Sequence, residues 1–245
     1  MLVIVALLSF GLSFIFAMGG VGGALALVPA LMAIGIPGGI ARPIGLLVNT
    51  VSLGAGTIYN LRAGKFKIGA WWPVVLFSLP AAPIGAWCST RIPQDMLAAF
   101  LALFMVGSGC LMFLPNRTTL KKARVACSPV CGASLGATSG VIGGMLGVGG
   151  GGVIVPVLYG MGFRSHHIAM VTALVVPFAS FTGFIAYAAM GSMTLDTVAV
   201  ASLAALAGGI LGTKVMHRID QLRVKQLLAL TLIVSGVRLL WKLLS

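Results

Sequence analysis

Few side chains in this sequence could act on a ligand, and the groups whose spacing invites chemistry are glycines. Gly147-Val148-Gly149-Gly150-Gly151-Gly152 interrupts an apolar run that continues to Pro156, and Gly19-Gly20-Val21-Gly22-Gly23 interrupts another that continues to Pro29. Each glycine costs a helix about 1 kcal/mol against alanine, so a cluster breaks it. The helix that restarts after the break has unsatisfied N–H groups in its first turn and the positive end of its dipole there. That is a place for an anion. Gly20, Gly22 and Gly23 in the first break and Gly147, Gly149, Gly150 and Gly151 in the second are therefore the candidate binding backbone. The apolar segments that follow add Asn49, Thr50, Ser52 and Thr57 in one half, and Thr172, Ser180 and Thr182 in the other. Amides and hydroxyls hydrogen-bond an oxyanion without carrying charge, and Asn49, Thr50, Thr172 and Ser180 complete the expected site. Each could instead bond the carbonyl of its own preceding turn.

Several chemistries are excluded or disfavoured by the same residues. Gly147 to Gly152 fits the G-x-G-x-x-G dinucleotide pattern, but no strand pattern precedes it and no acid follows about 20 positions on to hold a ribose. There is no Glu, and Asp95, Asp196 and Asp220 each fall at an expected connection. Cation sites and proton relays in membranes rest on buried carboxylates, so a cationic substrate is disfavoured. His166, His167 and His217 also fall in expected loops, where with the basic residues they raise local anion concentration. No catalytic residue, metal site or cofactor is expected. Cys88, Cys110, Cys127 and Cys131 are scattered and read as small apolar packing residues.

The elements that must position the glycines are membrane helices. Of 245 residues 59% are hydrophobic and 8% charged, against about 25% charged in soluble domains. Apolar segments run over 2–18, 21–36, 43–61, 69–89 and 96–114, and again over 126–145, 148–162, 168–190, 197–213 and 224–243. The first lacks a preceding basic residue and reads as a retained span, not a signal peptide. The second set repeats the first at a constant offset of 127 positions: Gly20, Val21, Gly22, Gly23 and Pro29 map onto Gly147, Val148, Gly149, Gly150 and Pro156, and Ser108-Gly109 onto Ser235-Gly236. The expected fold is an all-α polytopic membrane protein of two repeats, residues 1–125 and 126–245, with five helical segments each.

The net charge of +13 would suggest nucleic acid in a soluble protein, but the basic residues lie in short connections and are expected to set topology. If each glycine-joined pair is one crossing, Lys and Arg split 7 against 9 between the faces; if it is a hairpin, 12 share one face and Arg42, Arg91, Arg238 and Lys242 remain on the other. The positive-inside rule selects the hairpin, with both termini outside. A hairpin plus three spans inverts the second repeat, the plan of many secondary transporters, which bind substrate at the repeat interface in broken helices. The hairpins are expected to be short or re-entrant and to meet at mid-membrane. Gly132, Gly136, Gly140 and Gly144 form a spaced ridge read as helix packing, and Pro73, Pro80 and Pro83 are expected to kink their span.

The paired glycine breaks followed by proline, the Arg62-x-Gly64 and Gly191 connections, Val171-Thr172-Ala173, and the stretch from Gly208-Gly209-Ile210-Leu211-Gly212 through Leu222-Arg223-Val224 to Ser235-Gly236-Val237-Arg238 resemble the sulfite exporter TauE/SafE family. The likeness covers nearly the whole chain. It implies a bacterial inner-membrane transporter of sulfur-containing anions such as sulfite or organosulfonates, working as an exporter. It carries the glycine breaks and Thr172 over as site residues; the first half departs from the pattern, with Gly45 where the second has Thr172, so the expected site is asymmetric. The expected partners are a small anion and the lipid bilayer. A channel-like uncoupled anion pathway is the alternative, followed by a structural membrane subunit; an intramembrane enzyme would need nucleophile, base or metal ligands at depth.

Overall fold

The computed structural model describes residues 2–62, 71–113, 128–163, 165–191, 195–216 and 221–244. Their helices are α1 (Leu2–Met18), α2 (Ala24–Ala33), α3 (Gly38–Arg62), α4 (Trp72–Ser89), α5 (Gln94–Phe113), α6 (Pro129–Leu146), α7 (Gly151–Gly160), α8 (Ser165–Ala189), α9 (Leu195–Met216) and α10 (Gln221–Leu244). Ten helices and no strand are present among the described residues, and six, α4, α5, α6, α8, α9 and α10, are long and apolar enough to cross a membrane. α2 and α7 have 10 residues each. At 1.5 Å per residue each is about 15 Å long, half of a bilayer core of about 30 Å, so neither crosses alone.

Both breaks are built by glycine in the left-handed region. Gly20 and Gly22 have φ of 69° and 84° between α1 and α2, and Gly147 and Gly149 have 77° and 76° between α6 and α7. Position for position, the two interruptions share a backbone shape, with one difference: Gly150 is left-handed whereas Gly23 is at φ −65°. A left-handed L-residue costs roughly 1–2 kcal/mol, which is why the breaks are written in glycine.

The packing interleaves the two halves. α1 lies along α9 and α6 along α4; α3 packs on α8, α5 on α10, α4 on α8 and α3 on α9. Exchanging each helix for the one five places on returns the same pairs. The repeat mates run in opposite directions: Leu46 meets Gly183 and Thr57 meets Ala173 across α3 and α8, and Gly109 meets Ile233 while Gly236 meets Val106 across α5 and α10. The ends they bring together carry named contacts. Lys242 Nζ at the end of α10 donates to the Met32 carbonyl at the end of α2, 2.9 Å away, a cation on the last turn of a helix where its free carbonyls lie.

The glycine ridge of α6 packs as expected, but unevenly. A Cβ on Gly144 would lie directly on the Ala82 carbonyl and 3.0 Å from its Cα, one on Gly136 directly on the Val74 carbonyl and one on Gly140 2.8 Å from that of Ser78, whereas Gly132 meets only side chains, Pro73 at 3.4 Å and Val74 at 3.5 Å. Overpacking costs about 1–3 kcal/mol. Gly144→Ala should therefore lower the thermal unfolding midpoint in detergent, while Gly132→Ala should leave it within error. Equal shifts for the two would reject backbone contact as the basis of this pair. α1 and α9 are joined the same way, with Gly208 on the Phe10 carbonyl and Gly212 on that of Phe14.

Three expectations about connections need correction. Arg42, assigned to a loop, is inside the first turns of α3 and only 3% exposed. His166 and His167, also assigned to a loop, stand in the first turn of α8, because that helix starts at Ser165. Asp95 and Asp196 open α5 and α9 in the first turns, the terminus whose dipole favours an acid. His217, Asp220, Cys127 and the Arg62-x-Gly64 connection beyond Arg62 lie outside the described residues. Cys88, Cys110 and Cys131 are unpaired.

Candidate functional site

Asn49 is the point on which both glycine breaks converge. α3 carries it, fully buried, to where its Oδ1 accepts from the Ala24 N–H at the first turn of α2, 3.0 Å away, and its Nδ2 donates to the Val148 carbonyl in the second break, 2.6 Å away. The amide suits both tasks, since it offers an acceptor and donors at one end of a short side chain. The breaks themselves touch. A Cβ on Gly151 would lie directly on the Val21 carbonyl; one on Gly22 would meet the Asn49 amide, and one on Gly149 would meet Asn49 Nδ2 at 2.7 Å and the Ser180 hydroxyl closer still. Glycine here serves close approach as well as turning.

The hydroxyls divide into spent and unspent donors. Thr50 donates to the Leu46 carbonyl at 2.9 Å and Thr172 to those of Ile168 and Ala169 at 2.8 and 3.1 Å, all within their own helices. Thr57 donates to Leu53 in its own helix and to Ala173 across the α3–α8 contact. Thr182 bonds its own helix at Phe178 and Ala179. Ser180 and Ser52 differ: both hydroxyls are fully buried, Ser180 against Gly149 and Ser52 against Gly209, and neither has a hydrogen-bond partner among the described residues. The first break has its own unpartnered hydroxyl on Ser13 of α1, buried 2.9 Å from where Gly23 would carry a Cβ. A buried orphan hydroxyl costs about 1–3 kcal/mol; Ser9 and Ser52 are orphaned as well, and Ser13 and Ser180 are the two that lie against the glycines of the breaks. Around them, the first turns of α2 and α7 present N–H groups with no acceptor in the preceding turn; among these Ala24 is satisfied by Asn49 and Val153 by the Gly150 carbonyl at 3.0 Å.

The structure thus brings together Gly22, Gly149, Gly151, Asn49 and Ser180. Gly20 and Gly147 stand one step further out, Gly20 against Ala169 and Gly147 against Arg42. Gly23 and Gly150 are the residues on which α2 and α7 start. The asymmetry at Gly45 has a steric reason: a side chain there would meet Val28 at 2.6 Å and the Gly147 carbonyl at 2.8 Å.

Sequence reasoning did not reach Ser13, Arg42 or Tyr187. The Arg42 guanidinium and the Tyr187 hydroxyl are close neighbours. Tyr187, 2% exposed near the end of α8, also shares a hydrogen bond of 2.7 Å with Ser89 at the end of α4 and donates towards the Gly144 carbonyl at 3.2 Å. A signal for Arg42 was present in the repeat. The second half's apolar segment starts at Ile168, which maps onto Ala41, so the matching segment includes Arg42; Pro43 obscured this, and the structure carries it inside α3, beyond the first turn. On the far side of the breaks, a cavity of about 20 Å³ lies beside Gly19, lined by Met18, Tyr159, Ala169 and Lys225 among others, with Lys225 Nζ 4.9 Å from the Tyr159 ring centre.

Long apolar helices, two half-length helices broken at glycine, and a buried polar centre of amide, hydroxyl and backbone N–H groups define a multi-pass membrane protein of the transporter kind. The family model for the sulfite exporter TauE/SafE matches residues 5–239. The chain belongs to this family, whose members are membrane transporters. Comparison with curated proteins and with solved structures yields no match.

Proposed function

We propose that the protein carries small sulfur-containing oxyanions, such as sulfite or an organosulfonate, across a bacterial inner membrane in the outward direction. In this reading residues 1–125 and 126–245 are inverted repeats, with both termini outside, and the anion passes where the two glycine breaks meet. The opposed directions of α3 and α8, and of α5 and α10, support the inversion. Arg91 follows α4, and Lys242 ends α10 beside the end of α2, as expected if the minority of basic residues shares one face.

The observation that carries the proposal is the unpartnered, buried Ser180 hydroxyl against Gly149, at the crossing that Asn49 ties together. The site offers donors and no carboxylate: Asp95 and Asp196 are confined to exposed helix starts. Of the glycines expected to supply its backbone donors, Gly20 already donates to the Ala17 carbonyl and Gly147 and Gly149 to that of Gly143, which leaves Gly22, Gly23, Gly150 and Gly151. Thr50 and Thr172, whose protons are used within their helices, shape its wall. The close contact of Gly151 with the Val21 carbonyl closes the crossing, which favours a carrier with alternating access over an open channel.

A hydrogen bond to a charged group is worth about 1.5–3 kcal/mol, or at least about tenfold in affinity. Ser180→Ala should raise the half-saturation concentration for sulfite flux into proteoliposomes about tenfold, with the fold retained because the change removes an orphan hydroxyl. Flux screening across sulfite, sulfate, thiosulfate, sulfoacetate, taurine and simple carboxylates ranks the substrates. Unaltered saturation in the serine variant would remove the crossing as the binding site, and unitary conductance in planar bilayers would replace the carrier by a channel.

A further inference from the structure

We infer that Arg42 is a second anion-binding contact, a guanidinium fork that holds the oxyanion at one end of the glycine crossing. This rests on the transport reading and adds to it a charged residue that the neutral centre lacks. Arg42 is 3% exposed, and no carboxylate faces it among the described residues. The groups around it are the Tyr187 hydroxyl from α8, itself held by Ser89 of α4, Gly147 at the second break, and Gln94 at the start of α5, whose Oε1 approaches Gly38 from the same side as Arg42 Nη2. The dipole at the end of α6, close by at Gly144 to Gly147, supplies about half a negative charge at most, and Arg42 stands near the positive end of its own helix. A full positive charge is therefore buried with less than a full countercharge. Buried ions persist when paired, and an oxyanion matches the planar fork with two parallel hydrogen bonds.

The repeat supplies an internal control. Arg42 corresponds to Ala169, and the two are packed alike: a Cβ on Gly147 would lie 2.5 Å from Arg42 Cβ, and one on Gly20 would lie 2.5 Å from Ala169 Cα. The crossing is thus built with alanine at one end and arginine at the other, so the fold does not demand the charge. Contact with Gly147 also fixes the stem of Arg42, which aims the guanidinium independently of ligand.

The test uses purified full-length protein in proteoliposomes, with sulfite, thiosulfate and sulfoacetate as probes. With whichever probe the wild type carries, R42Q should raise the half-saturation concentration about 100-fold, the loss expected when a charged, doubly bonded contact is removed. R42K, which keeps the charge but not the fork, should raise it about tenfold. Wild-type half-saturation in R42Q overturns the inference while leaving the transport reading intact. If R42Q does not yield folded protein, R42K decides, and an unchanged value there overturns the fork. Absence of saturable wild-type flux for all three probes defeats the transport reading itself.

Discussion

Asn49→Asp is expected to reduce sulfite flux about 100-fold, because a negative charge about 6 Å from the anion costs about 3 kcal/mol at an effective dielectric constant of about 20. The geometry makes this a test of charge more than of shape. The introduced carboxylate has nearly the outline of the amide and can still accept from the Ala24 N–H, as Asn49 Oδ1 does at 3.0 Å. Its other oxygen faces the Val148 carbonyl, which now receives a hydrogen bond of 2.6 Å, and two acceptors in contact repel unless the acid holds a proton. Stability should fall by the value of that bond, about 1–3 kcal/mol, within the 5–15 kcal/mol typical of folded proteins. The comparison variant is Asn49→Leu, which removes both hydrogen bonds without adding charge: it should lower the unfolding midpoint further than the aspartate but flux less. If the aspartate variant folds and carries sulfite as the wild type does, the anion does not pass Asn49.

Gly149→Ala carries the second large effect. At φ 76° an alanine costs roughly 1–2 kcal/mol, and its contact with Ser180 and Asn49 adds about 1–3 kcal/mol of overpacking, together within the 5–15 kcal/mol typical of folded proteins. The added methyl points at the Ser180 hydroxyl and lies 2.7 Å from Asn49 Nδ2, so it fills the space a ligand oxygen would use. Flux should drop by about two orders of magnitude, the scale of roughly 2.7 kcal/mol, while the protein remains monodisperse. Gly35→Ala is the matched control, with φ 94° and nothing within 4 Å of the new methyl. It bears the same backbone strain without touching the crossing, and its flux should remain near wild type. Equal loss in the two would mean that backbone strain, not occupancy of the site, explains the defect.

How much of this was legible before any coordinates depends on the kind of residue. The breaks at Gly20–Gly23 and Gly147–Gly151 were readable because glycine clusters have one physical consequence in an apolar run, and the 127-residue offset paired them. Asn49 was singled out for an anion, yet the structure shows both its amide atoms bonded to backbone across the two breaks, a relation no local pattern encodes. Thr50 and Thr172 have the composition of ligands and the geometry of helix residues; whether a hydroxyl turns inward or back to its own carbonyl is decided by neighbours that sequence spacing does not supply. Ser13 lay in a segment whose one other polar residue is Ser9, a pattern that packing serines share. Arg42 was hidden by a boundary, since Pro43 read as the start of a span and pushed the arginine into a loop, although the matching helix in the other half begins before that position.

The interleaved packing also has a mechanical meaning. Where Gly136, Gly140 and Gly144 press on the α4 backbone, and Gly208 and Gly212 on that of α1, no layer of side chains lies between the helices to be rearranged. α4 with α6, and α1 with α9, can be treated as welded pairs. α8 leans on the first and α3 on the second. On the proposed alternating-access reading, the bodies that would rock are two triplets of mixed parentage, each drawn from both copies of the repeat, and the joint between them is the antiparallel α3–α8 seam. Asn49, Ser180, and Arg42 with Tyr187 all sit along that seam, so the groups proposed to grip the anion are the ones whose spacing would change first when the joint moves.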